Sequence, residues 1–398
     1  MNMETSWKSP KVIIGSVATG DYYFVREDLE NEIWEEIKKG NNILLTAPRR
    51  VGKTSVMKSL AEQSNNDYKL VFSNIQGIEE ESGFYKMLYE LILNCLNTSK
   101  RYKTQFKNYF QKIQISEVST DGIKLERHDI DYLAEINLLV PQLDVNGENI
   151  IFLIDELPEV LYNLHKKGKG GAANNILKNM RRWRQQKGFE KIQFVLAGSI
   201  GFHYVIDLIG GRPADINDLY TIHCPTLDNN QGEIEKYIAW ITKGATIRYN
   251  KNLTAYLKEK ISYFVPFFIN LLVNEVNQNC KKNNQRKITT NDIDKVVSEI
   301  PLLYKKDFSD WGKRLKDYMP KEDFAFVNEI LTHTAHKGEI SIQEVYNKAL
   351  EHNKKDCYME FIADLERDGY ITKQNEKYVF ISPFLKEFWK NDNPIYKG

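Results

Sequence analysis

The chain has 398 residues, of which 42% are hydrophobic and 27% are charged, and its formal net charge is +1. This composition is typical of a globular protein with two or three domains, and its near neutrality excludes an overall field that would draw the chain to nucleic acid or to a membrane. Its four cysteines are scattered without a Cys-x-x-Cys pair, which argues against a zinc site and favours a reducing compartment. We also find neither a membrane-length apolar run nor a signal-peptide core, so we expect a cytoplasmic protein without a membrane partner.

The first 100 residues alternate between helical and strand patterns. Leu29, Ile33 and Ile37 recur at helical spacing, and Gly40 ends that helix. The elements predicted next, in chain order, are a strand over 42–46, a helix over 53–62, a strand over 69–75 and a helix over 82–96. Strands that alternate with helices predict a parallel sheet with helices on both faces.

The first strand runs into a loop over residues 47–55 that closes with Gly52, Lys53 and Thr54. A phosphate-binding loop has Gly, four residues and then Gly-Lys-Ser/Thr, and here Ala47 stands in place of the first Gly. Gly52 lets the backbone approach a phosphate, and the N–H groups of the loop can surround an anion at the start of a helix. Lys53 can neutralise phosphate oxygens and Thr54 can bind Mg²⁺. The sequence therefore predicts a nucleotide site, and the alternative is a chance Gly-Lys-Thr.

Residues 97–130 are polar and Lys-rich, and we interpret them as an insertion or a loose helix. An apolar strand then ends in Asp155 and Glu156. The carboxyl ends of strands in an open α/β sheet are where ligands bind, and a hydrolytic nucleotide site needs one carboxylate for the metal and one for the attacking water. We therefore expect Asp155 to hold Mg²⁺ beside Thr54 and Glu156 to orient or deprotonate the water. The alternative is a strand that ends in a solvated acidic turn.

A third apolar strand over 192–197 ends at Gly198 and Ser199. In P-loop ATPases the strand after the acidic one carries at its tip a polar residue that senses the terminal phosphate, and Ser199 stands at that place; an ordinary turn is the alternative. Such enzymes also use an arginine, in some cases from a neighbouring subunit, to stabilise the transferring phosphoryl group. Arg212 is the predicted finger, with further candidates at Arg181, Arg182 and Arg184 in the helix over 174–187. The alternative is a solvated basic helix face and a plain turn.

Beyond residue 227 the sequence changes to helical patterns. Residues 228–300 contain helical patterns only, 301–320 form a linker, and 321–398 contain three helices and a β-hairpin, which is the order of a winged helix-turn-helix. The third of these helices, over 355–368, carries two basic and five acidic residues. Because binding to phosphates requires the opposite charge, this favours a packing or protein-binding module over a DNA reader, although Lys373 and Lys377 of the hairpin could touch a DNA backbone.

This order of elements resembles the archaeal and bacterial ATPase family within the STAND and AAA-like P-loop NTPases. The resemblance covers nearly the whole chain and is carried by residues 24–27, 48–55, 153–156, 198–201 and 216–219 together with the terminal winged helix. It implies an α/β fold with a parallel-sheet P-loop ATPase core over 1–227, an all-helical lid over 228–300, a linker over 301–320 and a winged helix-turn-helix domain over 321–398.

The resemblance also implies ATP and Mg²⁺ as cofactors, with Val25 and Arg26 near the adenine. The predicted nucleotide-binding residues are Val25, Arg26, Pro48, Arg49, Arg50, Val51, Gly52, Lys53, Thr54 and Ser55. The predicted metal ligands are Thr54 and Asp155, and the predicted catalytic residues are Glu156, Lys53, Ser199 and Arg212. Two departures from the family pattern are Ala47 in the loop and a lid segment over 264–268 that carries no arginine.

Three functions remain open. The first is an ATPase whose nucleotide state, ATP or ADP, switches its self-association as a homo-oligomer or its binding of a protein partner. The second is a DNA-associated ATPase of replication, transposition or defence that uses the winged helix. The third, motivated by Ala47, is a nucleotide-holding scaffold with slow turnover.

Overall fold

The computed structural model describes residues 6–107, 109, 115–119, 122–125, 130–143, 147–198, 202–227 and 232–396. The chain divides into two compact units. The sheet unit comprises Val25–Thr46 and Lys53–Cys224, and the helical unit comprises Met1–Phe24, Ala47–Gly52 and Pro225–Gly398. Within the described ranges, no helix has both the length and the apolar character needed to cross a membrane.

The sheet unit consists of a parallel sheet, its connecting helices and one additional strand pair. Its elements are α1 (Glu27–Lys38), β1 (Ile43–Thr46), α2 (Lys53–Glu62), β2 (Tyr68–Asn74), α3 (Glu81–Thr98), α4 (Lys100–Gln105), β3 (Ile115–Ser119), β4 (Gly122–Leu125), α5 (Tyr132–Leu139), β5 (Asn149–Asp155), α6 (Leu157–Lys166), α7 (Gly170–Gln185), β6 (Ile192–Ala197), α8 (Phe202–Leu208) and β7 (Tyr220–His223). The five-stranded sheet has the order β2-β5-β6-β1-β7, and its paired strands are all parallel. The parallel sheet that the sequence predicts is therefore confirmed.

The strand order explains why the acidic strand is continuously apolar from Ile150 to Ile154. β5 lies between β2 and β6, and every residue from Ile150 to Asp155 is buried. A strand in the middle of a parallel sheet is covered on both faces, which favours continuous apolar runs over alternation. Since β1, β5 and β6 are parallel, they end at one edge of the sheet, at Thr46, Asp155 and Ala197.

The structure adds two features of the sheet unit to the sequence analysis. β7 is a fifth strand, paired with β1, that the hydrophobic pattern does not predict. The region over 97–130, expected as an insertion or a loose helix, contains α4 and the antiparallel pair of β3 and β4.

The helical unit contains a group of helices followed by a winged helix. Its elements are α9 (Glu233–Ile241), α10 (Lys251–Ile261), α11 (Pro266–Lys282), α12 (Thr290–Leu303), α13 (Lys305–Tyr318), α14 (Lys321–Lys337), β8 (Ile340–Ser341), α15 (Ile342–Glu351), α16 (Tyr358–Arg367), β9 (Ile371–Gln374), β10 (Lys377–Phe380) and α17 (Pro383–Asp392). The three short strands form an antiparallel sheet in the order β8-β10-β9. Helices α14 to α16 followed by this hairpin form the winged helix-turn-helix, so the predicted fold class is confirmed.

The segment 301–320, expected to be a linker, is mostly helix α13, and this helix belongs to the core of the helical unit. Phe308, Trp311 and Leu315 are buried along one face of α13. The ring of Phe308 stacks on Phe268 of α11 with centroids 6.0 Å apart, and on Phe388 of α17 at 5.8 Å. Phe308, Trp311 and Leu315 are spaced three and four residues apart, which is the spacing of one helix face.

Candidate functional site

The loop that follows β1 contains two residues with a positive φ. Gly52 has φ +107°, a conformation that L side chains rarely adopt, and Arg50 has φ +65°. The loop ends where α2 begins, at Lys53. The first N–H groups of a helix have no intrahelical partner, so the start of α2 offers donors to an anion.

A short hydrogen bond joins the start of α2 to the end of β5 inside the sheet unit. Thr54 Oγ1 donates to Asp155 Oδ2 at 2.5 Å, although the two residues are 101 positions apart in the chain. Asp155 is 1% exposed, and the side chain of Lys53 is also buried. The structure thus brings together the two residues that the sequence predicts as metal ligands, a hydroxyl and a carboxylate of the kind that Mg²⁺ binds in nucleotide sites.

The electrostatic surroundings of Asp155 contain opposing contributions. Burial raises the pKa of Asp155, and the neighbouring charge of Glu156 raises it further. The hydrogen bond from Thr54 and the charge of Lys53 act in the opposite direction, towards a lower pKa. Burial disfavours the charged form of a carboxylate, and a nearby cation stabilises it. A buried carboxylate is therefore suited to bind a divalent metal.

Glu156 occupies an unusual backbone conformation at the turn between β5 and α6. Its φ is +65°, in the left-handed region, and its N–H donates to Asp155 Oδ1 at 3.1 Å. A non-glycine residue in this region costs on the order of 1–3 kcal/mol, and such residues cluster at functional sites. The turn separates the two carboxylates, since Asp155 ends the strand while Glu156 precedes the helix.

The end of β6 is only partly described. Ser199, the predicted phosphate sensor, lies outside the described residues, together with 200 and 201. Gly198 is described, and a Cβ added to it would come 2.4 Å from Cδ of Pro158 in α6. Glycine is therefore required at this position by the close approach of α6, independently of any role for Ser199.

The candidate arginines fall into two groups within the sheet unit. Arg181, Arg182 and Arg212 line a cavity of about 610 Å³, together with Lys178 and the buried carboxylate of Asp215. Arg181 lies 3.6 Å from Asp215 through Nη1 and Oδ1. Basic side chains from two separate segments of the sequence therefore lie around one cavity.

Arg184, the remaining candidate, has a structural role. Its side chain is 1% exposed, and it makes two hydrogen bonds of 2.8 Å to the carboxylate of Asp218. A third hydrogen bond, also 2.8 Å, reaches the carbonyl of Asp215. These contacts fix the chain that follows Arg212 against α7, so Arg184 is removed from the set of finger candidates.

We expect Arg184→Ala to lower the free energy of unfolding by about 3 kcal/mol, because it leaves the Asp218 carboxylate and a carbonyl without their donor. Denaturant unfolding monitored by circular dichroism measures this. Arg182→Ala is the matched control on the same helix, since Arg182 is exposed and donates a hydrogen bond to Asn137. Equal losses in the two variants would contradict the structural role of Arg184.

Val25 and Arg26, which the family resemblance places near adenine, lie directly before α1. Arg26 is buried and its carbonyl accepts the hydrogen bond of Glu30 N, whereas Val25 is 51% exposed. Their contact with a nucleotide stays a prediction.

The loop arginines have partners in the helical unit that the sequence does not reveal. Arg50 Nη2 donates to Asp307 Oδ1 at 3.1 Å, and its guanidinium carbon lies 4.4 Å from the ring centre of Phe267. Arg49 Nη2 lies 3.7 Å from Asp310 Oδ2. Burial, helped by the charges of Arg314 and Arg50, lowers the pKa of Arg49 to about 10. The i, i+3 spacing of Asp307 and Asp310 is the sequence signal that these carboxylates share one face of α13.

Comparison with known proteins finds one family model and several similar solved structures. Residues 15–208 match the family model described as AAA-like domain. Among solved structures, a Walker-type ATPase of Pyrococcus abyssi is 14% identical, with 95% of this chain and 99% of that chain covered and a TM-score of 0.59. The ADP form of the Aeropyrum pernix ORC2 protein is 11% identical, with 92% of each chain covered and a TM-score of 0.45. No curated protein matches the sequence.

The parallel sheet, the loop before α2 and the Thr54–Asp155 pair define the class: this is a P-loop NTPase fold. Within that class, residues 15–208 match the model of an AAA-like domain. The resemblance to AAA-like P-loop NTPases that the sequence motifs indicate is thereby confirmed.

Proposed function

We propose that this protein binds ATP with Mg²⁺ and hydrolyses it, and that the nucleotide state switches its self-association or its binding of a protein partner. The observation that carries the proposal is the 2.5 Å hydrogen bond between Thr54 and Asp155, beside the buried Lys53. It brings the residue after the phosphate-loop lysine to the end of the acidic strand, as a nucleotide site with a metal requires.

Different residues of the proposed site bind the phosphates and the Mg²⁺ ion. Lys53 neutralises phosphate oxygens, and the N–H groups of the loop and of the first turn of α2 donate to them. Thr54 and Asp155 hold Mg²⁺, which when bound supplies charge neutralisation on the phosphates. The remaining proposed nucleotide contacts come from Val25, Arg26, Pro48, Arg49, Arg50, Val51, Gly52 and Ser55.

Hydrolysis requires a base and stabilisation of the developing charge. Glu156 follows the metal-binding carboxylate by one residue, and it takes the proton of the attacking water. Ser199 contacts the terminal phosphate. Arg212 stabilises the transferring phosphoryl group, and its place beside other cations in the cavity with Arg181 and Arg182 supports an anion-binding role.

We expect Arg212→Ala to reduce phosphate release by about 1,000-fold, the lower end of what a finger arginine contributes. Lys178→Ala, which removes another cation of the same cavity, is the matched control. If Arg212 acts in a neighbouring subunit, a mixture of the Arg212→Ala and Glu156→Gln proteins regains part of the activity. In that mixture, some contacts between subunits combine an intact Arg212 from one variant with an intact Glu156 from the other. A wild-type rate for Arg212→Ala would contradict the assignment.

The surface of the winged helix favours a protein partner over DNA. Ile342, Tyr346 and Leu350 follow one face of α15 at four-residue spacing, and all three are more than one-third exposed. Exposed apolar rows of this kind mark protein contacts. Each of the two hairpin lysines has a carboxylate partner that offsets its charge, Glu376 at 2.8 Å from Lys373 and Glu339 beside Lys377.

Phosphate release from ATP, measured in low salt with and without duplex DNA, separates the three functions. Turnover that duplex DNA does not change supports the protein-responsive switch. Turnover that rises with DNA, together with a salt-dependent DNA affinity, would favour a DNA-associated ATPase. Bound ATP without turnover would favour the slow scaffold that Ala47 suggests.

A further inference from the structure

The loop arginines sit in a compact group of charges within the helical unit. Arg49 and Arg50 face Asp310 and Asp307 of α13, and Arg314 of the same helix is close enough to lower the pKa of Arg49. The group therefore contains three guanidinium groups and two carboxylates. The positive charges of Arg314 and Arg50 disfavour the charged form of Arg49, and an anion bound beside Arg49 would offset that repulsion.

A second observation is a buried cationic donor in this group that makes no hydrogen bond within the described part of the chain. Among the described residues, Nη1 of Arg49 is a buried nitrogen with no hydrogen-bond partner, while Nη2 of the same group lies 3.7 Å from Asp310, beyond hydrogen-bonding distance. A buried charged donor that is left unsatisfied is costly, and a phosphate oxygen is a strong acceptor for it.

Arg50 is held more firmly than Arg49. Its hydrogen bond to Asp307 is 3.1 Å, its guanidinium packs over Phe267 of α11, and its backbone is left-handed with φ +65°. The side chain of Arg50 is 19% exposed. A nucleotide phosphate that takes over the Nη2 donor of Arg50 replaces the carboxylate of Asp307.

We propose that Asp307 and Asp310 are internal competitors of the nucleotide: they occupy the loop arginines and so weaken nucleotide binding, while bound phosphate releases α13 from the loop. The inference rests on the proposed nucleotide site, whose loop supplies both arginines. Coupling of this kind is reciprocal. If the contact between the loop arginines and α13 weakens nucleotide binding, then bound nucleotide weakens that contact by the same free energy. Helix α13 thereby acquires a regulatory role.

Calorimetric titration of ATP with Mg²⁺ into the full-length Asp307→Asn, Asp310→Asn double variant tests the competition. The asparagines keep the shape but remove the negative charge, so we expect the dissociation constant to fall about tenfold, within the usual range of such couplings. Asp323→Asn is the matched control, since it also breaks an ion pair of the helical unit, that with Lys354. An unchanged or weaker affinity in the double variant overturns the proposal.

Hydrogen exchange of the wild-type protein tests the release of α13 without any change in its charges. Adding ATP with Mg²⁺ should speed amide exchange over 305–318, and the same addition to Lys53→Ala should not. Unchanged or slower exchange with ATP bound overturns the proposal. The failure of the nucleotide site and the failure of the competition can be told apart. Wild-type ATP affinity in Lys53→Ala contradicts the nucleotide site itself. Loss of ATP binding in Lys53→Ala, together with wild-type affinity in the double variant, contradicts only the competition.

Discussion

Glu156→Gln is expected to reduce phosphate release from ATP by at least about 100-fold while ATP binding stays near the wild-type level. The amide has the shape of the carboxylate but cannot take the proton of the attacking water. The backbone at this position is left-handed, and Gln meets the same local cost there as Glu, so the turn between β5 and α6 is retained. Single-turnover phosphate release measures the loss, and calorimetric titration measures the binding.

Glu159→Gln is the control for this prediction. Glu159 lies in the first turn of α6 and accepts a hydrogen bond from Gln76 at 2.7 Å, so the change also removes a carboxylate from the same helix start. We expect it to keep turnover within a few-fold of wild type. Normal turnover in Glu156→Gln would show that the base is another residue.

Lys53→Ala is expected to weaken ATP binding by about 100-fold, because it removes a charged donor from a partly dehydrated phosphate site, where such a contact is worth roughly 2–3 kcal/mol. The fold should persist, since Val56, Met57 and Leu60 provide the buried face of α2. Calorimetric titration with ATP in the presence of Mg²⁺ gives the affinity directly.

Lys58→Ala is the matched control for Lys53→Ala. Lys58 lies on the same helix, and its ammonium is 5.5 Å from the ring centre of Phe72 in β2. We expect no change in ATP affinity for this variant. Similar losses in both variants would mean that the effect comes from damage to α2, whereas wild-type affinity in Lys53→Ala would refute the phosphate-loop assignment.

The centre of the sheet unit could be predicted because local sequence determines it. The apolar strands each end in polar residues, and parallel strands bring those ends to one edge, so Thr54 and Asp155 were expected to meet. The strand β7 could not be predicted from the sequence. It is four residues long and three of them are exposed, so it has no apolar run by which to recognise it.

The partners of the loop arginines could not be predicted because they depend on tertiary packing. Arg50 and Asp307 are 257 positions apart, and Asp307 belongs to the segment that was expected to be a linker. One face of α13 is buried through Phe308, Trp311 and Leu315. This burial determines that the acidic face of α13 lies near the loop. The sequence placed the arginines in the right loop without showing which carboxylates hold them.

The central claim is that the chain binds ATP through its phosphate loop with a metal held by Thr54 and Asp155. The most direct test is a calorimetric titration of ATP into the wild-type protein, with Mg²⁺ and then with a chelator. We predict a single site that binds tightly with Mg²⁺ and measurably more weakly without it. No binding at millimolar ATP, or the same affinity in both conditions, would contradict the account.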